Sequence, residues 1–315
     1  MSLGRDDSEP IRQGRTSAVF FLGKGGVGKT SLSLASALAF DALGIPVAVV
    51  SLDQAHNLLD LAGFRSGPGR RQRIGAVELV EVDLSEVLDV EVRRARSGID
   101  AAYGHLRSLG LDSVLDLVGR SPGMIETAVL SHLDGIRTQP MGKARLVLVD
   151  MPPTAQAGRI LDLAGLTRRW LEQLQELRRR IVSLRDSVGR LRGARARGPD
   201  KILGRIESLL ERYRAMEQWI ERDCASVIVA GSAQVTVREA EIAAARPSAR
   251  RLLVWNKGRF SGKLPSTLRR IEQVSIADLG PNPSLDRLAS AGRPLAGQLA
   301  LMLGLDSDMP ESEKS

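Results

Sequence analysis

The sequence predicts an α/β fold: a mostly parallel sheet flanked by helices, carrying an inserted antiparallel, coiled-coil-like helical hairpin. Three observations predict it. Short, fully apolar runs recur along the chain and end on polar residues, as strands buried on both faces do. A glycine-rich loop joins the first of these runs to a helical pattern. Past the middle of the chain lie two heptad-spaced apolar series, separated by a break rich in Gly and Arg.

The loop reads Gly23-Lys24-Gly25-Gly26-Val27-Gly28-Lys29-Thr30-Ser31, after the apolar run Ala18–Leu22 and before a helical stretch reaching Phe40. Glycines let successive backbone N–H groups point at one anion, and the helix start adds partial positive charge. Gly23 to Thr30 fits G-x-x-x-x-G-K-[ST]. All nine residues are nucleotide-binding candidates, with Lys29 reaching the β- and γ-phosphates and the Thr30 hydroxyl ligating magnesium. This is the phosphate loop of a P-loop NTPase. Lys24 stands at the loop's second position. A lysine there resembles the deviant Walker A group, which holds the ArsA, MinD and ParA ATPases. The resemblance implies a homodimer in which Lys24 crosses to the partner's nucleotide.

Length and composition set the bounds. The 315 residues allow one large α/β unit with an insertion, expected over 17–305, between a polar arm at 1–16 and an acidic tail at 306–315 that both read as disordered. A single cysteine, Cys224, excludes an intrachain disulfide, and no leader or 18-residue apolar span is readable. The expectation is a cytoplasmic protein with room for peripheral membrane contact. Net charge is +8, which permits an acidic partner. Aromatics at 3% argue against a base-stacking platform for nucleic acid.

Gly44 and Pro46 close the first helix. Val47–Leu52 is the second buried strand and delivers Asp53 at its carboxyl end, followed by Gln54-Ala55-His56-Asn57. That stretch resembles switch I of the ArsA-type family, which implies that Asp53 orients the attacking water; a magnesium-side or helix-capping acid is the other reading. His56 reads as a structural hydrogen-bonding residue. Residues 65–73 read as a solvated basic loop, 78–83 as a short edge-type strand, 85–118 as helical, and 121–126 as a further helix start.

Arg145–Asp150 is the next buried strand, ending on Asp150, which reads as a Walker B acid holding magnesium. The stretch that follows keeps Pro153, Thr154, Arg159 and Leu161 in register with the ArsA-type switch II. It carries Ala155 and Gln156 where that family has glycine and histidine. Strands follow at 226–230, 251–256 and 274–277, with a helix from about Thr236. In the family an asparagine at the position of Asn256 contacts adenine, so Asn256 is the base-recognition candidate, against a plain turn asparagine. The loop 278–283 is placed to close over the base.

The hairpin is expected over about 168–222. Trp170, Leu174, Leu177, Ile181, Leu184, Val188 and Leu191 recur at 4 and 3, and after the break so do Ile202, Ile206, Leu209, Tyr213, Met216 and Ile220. Each arm is expected to bury the other's stripe. Residues 168–197 hold ten arginines against three acids, a net of +7. This basic arm, Arg168 to Arg197, is either a solvated face or a surface for anionic membrane or nucleic acid.

Together the motifs identify an ArsA-type ATPase, implying ATP and Mg2+ as ligands and a nucleotide-switched homodimer. Two outputs compete: a carrier for a protein client or membrane partner protein, and a MinD/ParA-like organiser bound to an anionic surface. One cysteine cannot supply a three-thiolate arsenite site, so none is expected.

Overall fold

A computed structural model describes residues 17–55, 57–103, 123–139, 141–191, 199–246, 248–280 and 282–305. Its eight strands are β1 (Ser17–Leu22), β2 (Val47–Ser51), β3 (Arg71–Ile74), β4 (Val77–Glu81), β5 (Leu146–Asp150), β6 (Ala225–Ala230), β7 (Arg250–Asn256) and β8 (Glu272–Ile276). They form one sheet in the order β3-β4-β2-β5-β1-β6-β7-β8. Every neighbouring pair is parallel except β3–β4. The central strands are buried on both faces, which is why they read as unbroken Val/Leu/Phe runs rather than alternating ones.

Two apolar cores sandwich the sheet. One packs α1 (Lys29–Ala42), α2 (Leu58–Leu61) and α9 (Leu285–Leu303) on one face through Leu34, Phe40, Leu58, Leu295 and Leu299. The other packs α4 (Met124–Thr138), the start of α5 (Thr154–Leu191), α7 (Gln234–Ala244) and the short α8 (Ser266–Arg269) on the opposite face. Trp219 lies in that second core, edge-on to Phe20 with ring centroids 6.0 Å apart.

Helices α1 and α9 touch so closely that a Cβ on Gly292 would lie 2.0 Å from the Ala35 carbonyl oxygen. The obstruction is backbone and cannot swing aside. Gly292→Ala is therefore expected to destabilise the fold by about 3 kcal/mol, the upper range for overpacking, and to lower Tm by several degrees. A melting curve matching the parent's would show that the two helices can part at no cost.

Three expectations are corrected here. Residues 71–73 are not solvated loop but the outer strand β3. That places β4 one strand inside the edge, with Val77, Leu79 and Val80 buried. Glu81 at its end is fully buried, accepting the N–H groups of Leu59 (3.0 Å) and Gly67 (2.7 Å). The helix of the first arm starts well before the expected hairpin: α5 is one 38-residue helix from Thr154, whose buried residues run to Leu171. It is followed by α6 (Lys201–Gln218), which ends in a wide turn over Trp219–Asp223. Nor does the second arm bury the α5 stripe beyond Leu174, whereas Ile206, Met216 and Ile220 of the second stripe are buried. The apolar contact between the arms is Leu171, Ile206 and Leu210, flanked by Leu174, Leu209 and Tyr213, while Trp170, Leu177, Ile181, Leu184, Val188 and Leu191 stand exposed.

Helix α3 spans Leu84–Tyr103. The rest of the helix expected to 118, the two terminal segments and His56 lie outside the described residues. Among the described residues no helix is long and apolar enough to cross a membrane.

Candidate functional site

All predicted site residues except those of the arm gather at the carboxyl edge of the sheet, where β1, β2, β5 and β7 end. That is the side on which open α/β sheets bind ligands. The loop leaves β1 at Gly23 and enters α1 at Gly28. Gly28 caps the helix in left-handed conformation (φ 95°) with no side-chain cap bond, so the first-turn N–H groups face the loop's mouth. Two glycines are sterically required. A Cβ on Gly23 would sit 2.5 Å from the Val229 carbonyl oxygen, and one on Gly28 2.3 Å from Nδ2 of Asn256. Lys29 is buried at the first turn of α1, and Lys24 is half-exposed at the loop's outer edge.

The parallel register sets Asp150 opposite both Phe21 and Ser51. Its Oδ2 accepts the Thr30 hydroxyl at 2.7 Å and the Ser51 hydroxyl at 3.2 Å. Its Oδ1 is buried with no protein partner. Burial pushes the Asp150 carboxyl from its ordinary 3.8 up to about 6. The Thr30 hydrogen bond, the Lys29 charge and the Ser51 hydrogen bond oppose that rise, and the neighbouring Asp53 adds to it. A carboxylate oxygen left unpaired next to a hydroxyl is a donor set suited to a hard divalent cation. Asp53 follows β2, half-buried, and its Oδ1 accepts the Ala55 N–H at 3.1 Å.

With this geometry in place, the sequence matches the family model for anion-transporting ATPases over residues 16–247. The chain belongs to that family. Among its relatives, a protein of Aquifex aeolicus named after arsenical pump-driving ATPases is 27% identical over 234 residues, covering 71% of this chain and 57% of the relative. The ATPase GET3 of Ajellomyces dermatitidis is 30% identical over 196 residues, covering 61% of this chain and 57% of its own length. ATPase GET3A of Arabidopsis thaliana is 29% identical over 194 residues, 61% of this chain and 51% of its own. The chain thus spans a little over half the length of the relatives it matches.

In this family member Asn256 is buried at the end of β7, and its Nδ2 donates to the Val27 carbonyl at 2.8 Å. Its amide therefore braces the phosphate loop and lies against Gly28, a role that strand-end position alone does not reveal. Ser51 was likewise silent in sequence: one hydroxyl at the end of an apolar strand gave no sign that it would face Asp150. Arg159 of α5 pairs with Glu126 of α4, 33 positions away, at 3.0 Å. Thr154 begins α5 with its hydroxyl buried and without a protein partner. The 278–283 loop leaves β8 on the same edge; Asp278 accepts the Gly280 N–H at 3.0 Å, and residue 281 lies outside the described residues.

Proposed function

We propose that the chain is a magnesium-dependent ATP hydrolase that acts as a nucleotide-switched homodimer and carries a protein client. The observation that carries this reading is the 2.7 Å contact of Thr30 with Asp150 beneath a glycine loop whose lysine is buried. The amides of residues 23–31 and the Lys29 ammonium would bind the triphosphate. Thr30 and Asp150 would hold Mg2+, which when bound neutralises charge on the phosphates. Asp53 would accept a hydrogen bond from the water that attacks the terminal phosphorus, aligning it with the departing ADP oxygen. Asn256 keeps the loop in shape next to the base, and Lys24 of each subunit would reach the other's nucleotide.

Coupling to a client follows from α5. It starts four residues after Asp150 and runs for about 57 Å at 1.5 Å per residue, so a shift at Thr154 is carried rigidly to the arm. Exposure of the arm's apolar stripe supports a protein client. The arm's basic charge supports an anionic surface less well, because Arg168, Arg178, Arg179, Arg180 and Arg185 all pair with acids of the two arm helices.

Lys24→Ala tests the shared site. With a non-hydrolysable ATP analogue, light scattering of the parent chain should double in mass. The variant should lose hydrolysis by about 10²–10³-fold, as for removal of one preorganised charge donor. A parent that stays a single subunit, together with a variant at the parental rate, would overturn the dimeric site.

A further inference from the structure

Glu81 stands at the end of β4, fully buried, with each carboxylate oxygen engaged. Its Oε1 accepts the Leu59 N–H at 3.0 Å and its Oε2 the Gly67 N–H at 2.7 Å. Taking an ionised carboxylate out of water costs free energy that an apolar side chain in the same place would not. What the charge supplies is geometry, because two N–H groups from separate segments must converge on two fixed oxygens.

The strand register brings that geometry to the candidate cation site. Ser51 of β2 pairs with Asp150 of β5 on one side and with Glu81 of β4 on the other, so the three polar residues form one row across neighbouring strands. The backbone continues the row: the Leu52 N–H donates to the Asp150 carbonyl at 2.9 Å, and the Val82 N–H to the Ser51 carbonyl at 3.1 Å. These bonds fix the chain where it leaves β2, immediately before Asp53. Glu81 fixes it again at Leu59, the second residue of α2. The segment that carries Asp53 is thus tied to the sheet at both ends.

The second tie has no substitute among the described residues. Asn57, which caps α2, makes no side-chain cap bond, so Glu81 takes up a first-turn N–H that the helix leaves free. Leu58 and Leu59 press α2 onto the core, but apolar contact is not directional, whereas a hydrogen bond is. Between the two ties Asp53 accepts the Ala55 N–H at 3.1 Å, which shapes the turn without joining it to the sheet.

We propose that Glu81 is a positioning residue for ATP hydrolysis: by holding the Leu59 N–H it fixes the far end of the Asp53 segment and so the direction in which the Asp53 carboxylate faces the attacking water. The proposal rests on the reading of Asp53 as the acid that orients that water. It predicts that loss of Glu81 harms turnover and spares nucleotide binding, because the phosphate loop lies on a different strand.

The test is steady-state ATP hydrolysis by the full-length chain and its variants. Glu81→Gln keeps the shape but offers one oxygen and one NH2, so one of the two backbone N–H groups faces a donor. Its kcat should fall by at least about tenfold, towards the 10²-fold loss of a misplacement near 1 Å, with KM and analogue affinity within about twofold of the parent. Glu81→Asp keeps the charge but is one methylene too short to span both N–H groups, and its kcat should fall as well. Asp60→Ala loosens the same loop from its exposed side, where Asp60 holds the Ser66 hydroxyl at 2.7 Å, and should leave kcat within about twofold.

Loss of a buried anchor lowers Tm whatever its role, so the deciding readout is kinetic. Asp53→Asn alone should lower kcat by about 10²-fold or more. Adding Glu81→Gln to it should change kcat by less than about twofold, because a residue that acts through another contributes nothing once that other is gone. With Asp53→Asn impaired, four results would overturn the positioning role alone: a Glu81→Gln chain at the parental kcat, a loss that appears in KM instead, losses that multiply in the double variant, or an Asp60→Ala chain as impaired as Glu81→Gln. Failure of both Glu81 variants to fold would make the residue one of stability and overturn it too. Asp53→Asn at the parental rate would instead reject the reading of Asp53 itself.

Discussion

Replacing Lys29 by alanine is expected to reduce kcat for ATP hydrolysis by about 10³-fold, the upper end of the loss for one preorganised donor. Lys29 is 5% exposed and occupies the first position of α1, just after a loop held open by two glycines that tolerate no Cβ. A full charge in that screened position acts on the phosphates far more strongly than one in bulk water. The same burial bears on the fold: the Lys29 charge offsets the buried Asp150 carboxyl, so its removal leaves that carboxyl less compensated and should lower Tm in nucleotide-free buffer at neutral pH. Lys29→Arg should not rescue hydrolysis, because a planar guanidinium does not fit a site shaped for a compact ammonium. Phosphate release and thermal melts on the three proteins check this. A Lys29→Ala chain that hydrolyses ATP normally would remove the lysine from the phosphate site.

Much of this site was legible because buried parallel strands have a simple signature. Apolar runs ending at Leu22, Asp150 and Asn256 announced both the strands and the edge of the sheet at which the candidate site lies, and the glycine loop fixed the start of α1. The features that escaped depend on which neighbour a side chain meets, and a one-dimensional pattern does not carry that. Arg71–Ile74 has no apolar alternation, so only pairing with β4 makes it a strand, and that pairing is tertiary. Glu81 lies within the run 78–83 with nothing to mark it, yet it is buried as an anchor for two loop amides. The heptads of α5 correctly signalled a long helix. They did not say that α6 would take the side bearing Leu171 and Arg178 and leave the heptad stripe itself exposed. Asn256 lies at the strand end where its position in the sequence put it, and its amide holds the loop at Val27.

Asp150→Asn should change stability and catalysis in opposite directions. The folded chain holds this carboxyl near 6, whereas an unfolded carboxyl titrates near 3.8, so between those values the folded state binds more protons. In chelator, the parent should therefore gain stability as pH falls through 6 towards 4, by up to about 3 kcal/mol at 1.36 kcal/mol per pKa unit. Above pH 6 that amount is the penalty of keeping the buried charge. Asparagine has the same shape, keeps an oxygen for the Thr30 and Ser51 hydroxyls, and has no charge to bury. The variant should melt higher than the parent at pH 7.5 in chelator, and the difference should shrink to about a third by pH 4.5 and close below the unfolded value of 3.8. Adding Mg2+ and ATP reverses the order. The parent gains stability by binding the ligand, and the variant gains little and loses hydrolysis by about 10²-fold or more. Because a proton competes for the same oxygens, metal affinity of the parent should fall as pH drops through 6. A variant less stable than the parent in chelator at pH 7.5 would mean that Asp150 is held as a structural anion by Thr30 and Lys29. The orphaned Oδ1 would then need an explanation other than a cation.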